Sequence, residues 1–164
     1  MKIQISWIVL VICSLVACSQ EKEASAERDS SSVEEVVGYD SLLAEEVGAD
    51  KYGMKKYVMA FLKKGPNRDR SEEESARLQA AHMENINRLA EEGKLVLAGP
   101  FFGDGEIRGI YIFDVASVEE AEALTNSDPA IQAGSLVMEL LPWYGSAALM
   151  KVNELHKKVA KVEI

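Results

Sequence analysis

The sequence predicts an α+β domain with the element order βαββαβ, carried behind a leader and a tether. Three observations predict it. Apolar runs of strand length at residues 57–62, 95–102, 109–115 and 136–141 alternate with segments of helical periodicity. Ser71 with Glu74, and Ser117 with Glu120, form capping boxes where the two helices must begin. The first and fourth runs are apolar on both sides, since Tyr57-Val58-Met59-Ala60-Phe61-Leu62 is unbroken and the fourth run is interrupted only at Glu139. Strands of that kind are covered on both faces. The order is the split βαβ unit of ferredoxin-like folds, whose helices cover one face of an antiparallel sheet. The other face is left open and apolar, which marks an interface. A homodimer with its two sheets face to face, a dimeric α+β barrel, is the economical arrangement.

Residues 1–17 read as a signal peptide: Lys2 is a short positive n-region, and the following apolar stretch is too short to span a bilayer. It ends in Leu15-Val16-Ala17-Cys18, the order of a bacterial lipobox. The Cys18 thiol is expected to take the diacylglyceryl group, and the small residues before it admit the peptidase. The competing readings are an ordinary signal peptide with a chance cysteine and an uncleaved anchor. No Asp follows Cys18. The expected location is the bacterial cell envelope outside the cytoplasm, on the periplasmic or surface side, with the membrane reached through a lipid anchor at Cys18.

Residues 18–38 are rich in Ser, Glu, Lys and Ala and read as a disordered tether. Residues 39–55 form a short helical lead-in, with Asp40 to cap, Leu42, Leu43 and Val47 as an apolar stripe, and Gly48 to stop it. The α+β domain occupies residues 56–149. After its first strand, Gly65-Pro66-Asn67 opens a loop bearing Arg68, Asp69 and Arg70, and the long helix runs from its cap at Ser71 to Gly93. Gly103-Asp104-Gly105 turns strand two into strand three as a hairpin. Asp128-Pro129 pairs an N-cap with a proline at the first helical position, opening a single turn that ends at Gly134. Pro142 is expected to end the fourth strand. Residues 150–164 form a basic amphipathic tail, with Leu149, Val152, Leu155 and Val159 at helical spacing.

The formal net charge is −9, and because Lys2 is the only charged side chain in the signal segment, its removal leaves −10. Such a chain is a poor nucleic-acid binder. The two cysteines are Cys13, lost with the signal, and Cys18, so no disulfide is expected. With two histidines and no Cys/His cluster, no metal site and no cofactor are expected.

His82 follows Leu78 by four residues and precedes Ile86 by four, so it lies on the apolar stripe of the long helix and faces the sheet. Two roles are open to it: a hydrogen-bonded core residue, or a group that exchanges a proton near neutral pH. Asp128 likewise can cap its turn and, with its second oxygen, orient an imidazole. Arg68 and Arg70 could bind an anionic substrate, or be a solvated loop beside Asp69 and the following glutamates. Trp143 and Tyr144 could wall a pocket, or pack the domain edge or the dimer seam. His156 lies in the charged tail and is expected to face solvent.

Residues 56–149 resemble the YciI-like (YCII-related) family. The resemblance rests on Tyr57-Val58-Met59-Ala60-Phe61, Ala81-His82-Met83, Leu89-Ala90-Glu91-Glu92-Gly93-Lys94, Leu97-Ala98-Gly99-Pro100 and Gly109-Ile110-Tyr111-Ile112-Phe113, followed by Glu119-Glu120-Ala121, Ser127-Asp128-Pro129-Ala130, Ala133-Gly134 and Glu139-Leu140-Leu141-Pro142-Trp143. It implies a small dimeric α+β barrel with a His–Asp pair in a cavity, similar in fold to muconolactone isomerases and small monooxygenases. His82 and Asp128 match the pair. Proton transfer by such a pair suits a cofactor-independent isomerase- or lyase-like enzyme on an unknown small molecule, and the positions of Arg70 in its loop and Trp143 at the end of the fourth strand make them candidate substrate contacts. The alternative is a non-catalytic binding or interaction module on the same fold.

Overall fold

The computed structural model describes residues 38–162. The signal segment, Cys18 and the tether up to Val37 lie outside the described residues.

The chain forms α1 (Ser41–Glu46), β1 (Met54–Lys64), α2 (Glu72–Glu91), β2 (Leu95–Pro100), β3 (Ile107–Phe113), α3 (Val118–Thr125), α4 (Pro129–Gln132), β4 (Leu136–Ser146), a 3₁₀ turn (Ala147–Lys151) and α5 (Val152–Val159). The sheet order is β2-β3-β1-β4, with every neighbouring pair antiparallel. This is the ferredoxin-like α+β fold that the element order predicts. Among the described residues no helix is long and apolar enough to cross a membrane.

The two faces of the sheet follow from strand alternation. Val58, Ala60 and Leu62 of β1 point towards the helices and pack with Leu89, Leu95, Tyr111, Phe113 and Ala121. Tyr57 on the opposite face packs with Val96 and Ile112, joined by Met59, Leu97 and Trp143. That second face is less open than its apolar strands imply, because Leu149 and Met150 of the 3₁₀ turn fold back onto it. Val137 and Leu141 of β4 remain exposed there.

Two local expectations change. Strand β4 does not stop at Pro142 but continues to Ser146, with Pro142 opposite Val58. It lies at the sheet edge, where a missing N–H is tolerated. Ser117 caps α3 through the Glu120 N–H, but the Glu120 carboxylate turns to the Ala116 N–H and Lys94 rather than closing a capping box. The lead-in helix is one short piece: Gly48 takes φ +67°, and the Asp50 carboxylate then accepts from the Tyr52 and Met54 N–H groups, so the chain turns into β1. Of the lead-in stripe only Val47 is buried.

Candidate active site

Two helix starts position the site. Ser71 and Glu74 exchange bonds in a full capping box, which fixes the start of α2 and so the rotation that turns His82 inward. Asp128 caps α4, accepting the Ala130 N–H at 2.8 Å. The end of β1 and the turn after α4 are held together by backbone bonds from Gly65 to Ser135 and from Asn67 to Gly134. A side chain at Gly65 would collide with the Gly134 carbonyl, so that approach requires glycine.

His82 and Asp128, 46 residues apart, meet in this frame. His82 Nδ1 lies 3.0 Å from Oδ1 and 2.8 Å from Oδ2 of Asp128. Asp128 is 0% exposed and His82 8%. With Asp128 a carboxylate, it can only accept, so the proton sits on Nδ1 and the neutral ring keeps its lone pair on Nε2. The Tyr111 hydroxyl stands 3.3 Å from that nitrogen, its ring stacked on the imidazole at 6.4 Å and wedged edge-on against Phe113. Burial, and secondarily the charge of Asp128, pushes the Tyr111 phenol far above its ordinary range. Tyr111 is therefore a neutral hydroxyl at physiological pH, able to donate to the Nε2 lone pair.

His82 and Tyr111 both line a cavity of about 1100 Å³ between α2, the β2–β3 hairpin and α5. The arrangement offers a basic nitrogen with a buried carboxylate behind it and a hydroxyl donor beside it, next to a space large enough for an organic molecule. Among the described residues no three His, Cys, Asp or Glu side chains are grouped to hold a metal.

The sequence matches the YCII-related domain over residues 57–144. The chain belongs to the YCII-related family. A further relative is the uncharacterised protein YjpA of Bacillus subtilis (strain 168), 33% identical over 64 residues, which cover 39% of this chain and 73% of YjpA. Among solved structures, 5-chloro-2-hydroxyhydroquinone dehydrochlorinase from Burkholderia phenoliruptrix AC1100, in complex with 2,5-dihydroxybenzoquinone, aligns with a TM-score of 0.41 at 21% identity, covering 52% of this chain and 92% of that one.

The other candidate residues of this YCII-related domain fare differently. Arg70 reaches the same cavity, but its guanidinium donates to the carbonyls of Asn67 and Ala133 and to the Ser135 hydroxyl, so it clamps the loop before α2 to the turn before β4. Arg68 donates to the Ser135 carbonyl at 3.3 Å. Trp143 is not part of the His82 cavity. It pairs with Tyr57 on the opposite face of the sheet, ring centroids 5.8 Å apart, while Leu136, Met138 and Leu140 take the helix-facing positions of β4. A substrate contact by Trp143 would therefore lie on the sheet face away from His82. Cys18 lies outside the described residues. His156 is exposed as expected, yet it borders the cavity.

Tyr111 was missed as a site residue. The signal was available: a tyrosine inside an apolar strand needs a partner for its hydroxyl when buried. On the helix-facing side of the sheet the inward-pointing histidine of α2 supplies it.

Proposed function

We propose that this YCII-related domain is an acid/base enzyme acting on a small organic molecule, isomerase- or lyase-like in reaction type. His82 moves the proton and Asp128 orients it. The observation that carries the proposal is the contact of His82 Nδ1 with both oxygens of a fully buried Asp128, on the wall of a large cavity.

The chemistry follows from the two ends of the ring. Nε2 takes a proton from a carbon next to a carbonyl, and the electron pair of the broken C–H bond moves onto the carbonyl oxygen. The imidazolium formed is stabilised by Asp128. Tyr111, released from Nε2, donates its hydrogen bond to the developing oxyanion. The imidazolium then returns the proton to another atom, or to a departing group. Proton transfer by a placed side chain contributes about 10²–10⁴ in rate.

The test is solvent exchange. The full-length chain is incubated in D₂O with a panel of small ketones, lactones and unsaturated acids, and deuterium entering the carbon acid is followed by NMR. The proposal expects exchange in at least one compound and its loss in His82→Asn. Exchange that persists in His82→Asn, or none with any compound, favours the binding-module alternative.

Two further features complete the proposal. The mature chain begins at a lipidated Cys18 and is held in the cell envelope by that anchor; the lipobox order of residues 15–18 supports it. The domain pairs with a second copy through the apolar face carrying Met59, Phe61, Val137 and Leu141.

A further inference from the structure

The charge of the cavity is opposite to that of the chain. Over the whole sequence there are 27 acidic and 18 basic side chains, three for every two. Around the cavity the balance inverts: among the described residues Arg68, Arg70, Arg108, Lys157 and Lys161 line it, against Glu91 alone among the acids. Among the described residues none of the five cations forms a salt bridge. Arg68, Arg70 and Arg108 donate to backbone carbonyls and the Ser135 hydroxyl, which satisfies N–H groups and cancels no charge. Glu74 shares a neighbouring depression with Arg70, and its carboxylate is engaged by the Ser71 N–H and hydroxyl.

Two of the cations come from a segment beyond the family match. The 3₁₀ turn seats Leu149 and Met150 on the open sheet face, and α5 then meets the β2 edge, where Asn153 Nδ2 donates to the Leu95 carbonyl at 2.9 Å. Val152, Asn153, Lys157 and Lys161 thereby line the same cavity as His82. Basic residues at a helix C-terminus complement the helix dipole, which accounts for Lys157 and Lys158. It does not account for three arginines from other elements converging on the same space.

We propose that this cavity binds a small organic anion, and that the C-terminal segment is part of the binding site. The inference rests on the acid/base reading only in taking the cavity as the substrate's. Like charges held around a concave site focus the potential and raise the local concentration of an anion. They also orient its charged end towards the arginines and lysines, away from an apolar floor that includes Leu62, Leu95 and Ile86. The same field stabilises negative charge developing on a substrate when His82 removes a proton.

The experiment compares charged and neutral probes of one shape. Benzoate and benzamide, then phenyl phosphate and phenol, are titrated into the full-length chain in a non-ionic detergent, with dissociation constants from saturation-transfer NMR at low and high salt. Benzoate or phenyl phosphate should bind at least about fivefold tighter than its neutral partner, and salt should erode the difference. Whichever anion shows the larger preference identifies the headgroup, carboxylate or phosphate. The double variant Lys157→Gln/Lys161→Gln should weaken the anion by roughly two- to fivefold and leave the neutral probe unchanged, and Lys51→Gln, outside the cavity, should change neither. Equal binding of charged and neutral probes, or no binding of either anion, overturns the proposal. So does attachment to phosphatidylglycerol vesicles that needs Lys157 and Lys161 while benzoate shows no preference. Loss of anion preference with His82-dependent exchange retained overturns this inference alone. Intact preference with exchange independent of His82 overturns the acid/base reading alone.

Discussion

Asp128 Oδ1 faces two donors at once, the Ala130 N–H at 2.8 Å and the His82 Nδ1 at 3.0 Å, while its Oδ2 lies 2.8 Å from the same ring nitrogen. The capping bond fixes the carboxylate, and the carboxylate fixes the imidazole. The local turn at Asp128-Pro129 and the proposed chemistry of the cavity are thus carried by one side chain.

That relationship sets the tautomer of His82. With two histidines in the chain, ¹⁵N–¹H correlation spectra resolve each ring. Neutral His82 should carry its proton on Nδ1, and Asp128→Ala should release it to the Nε2–H form. A wild-type ring protonated on Nε2 contradicts the arrangement.

Tyr111 predicts an alkaline limb of stability. Its folded pKa is raised, so the folded state holds its proton where the unfolded chain, near its ordinary value of about 10, gives it up. The stabilisation is complete below about pH 10 and is lost as pH rises from there towards the folded value. Tyr111→Phe should lose about 1 kcal/mol of stability at neutral pH through the missing hydrogen bond and show a shallower decline above pH 10. Denaturant titrations across that range measure both, and identical alkaline slopes contradict the assignment.

The open sheet face predicts a dimer. Leu141, 45% exposed on the edge strand β4 opposite Met59, should be buried between two copies. An obligate interface of this type removes on the order of 2,000 Å² from water. The full-length protein should sediment as a dimer, and Leu141→Arg should shift it to monomer with the fold retained. A wild-type monomer contradicts the pairing.

The lipobox predicts a defined N-terminus. Mass spectrometry of the protein from bacterial membranes should find the first residue to be Cys18 bearing a diacylglyceryl group, and Cys18→Ser should leave the chain unmodified. A mature terminus elsewhere, free of lipid, removes the anchor from the account.

Much of this architecture was legible because each signal was local. Ser71 and Glu74 mark the start of α2 by chemistry that acts over three residues, and Asp128-Pro129 marks α4 in the same way. His82 was legible as inward-facing from helical spacing alone. What escaped depends on neighbours distant in sequence. Pro142 continues β4 because that strand lies at the sheet edge, a fact of topology. Once the strand is taken to end there, the alternation that sends Trp143 to the far face is lost as well. The place of α5 rests on Asn153 finding the Leu95 carbonyl across 58 residues, which no periodicity in the tail announces.

The central claim is that His82 transfers a proton and Asp128 orients it, and Asp128→Asn tests it most directly. Asparagine caps a helix about as well as aspartate, so the fold should survive with little change in melting temperature. It cannot serve as the charged acceptor behind Nδ1. In the deuterium-exchange assay on any compound the wild-type chain processes, Asp128→Asn should slow exchange by about 10²–10⁴ with the domain still folded. Wild-type exchange rates in Asp128→Asn would contradict the account and leave Asp128 as a helix cap alone.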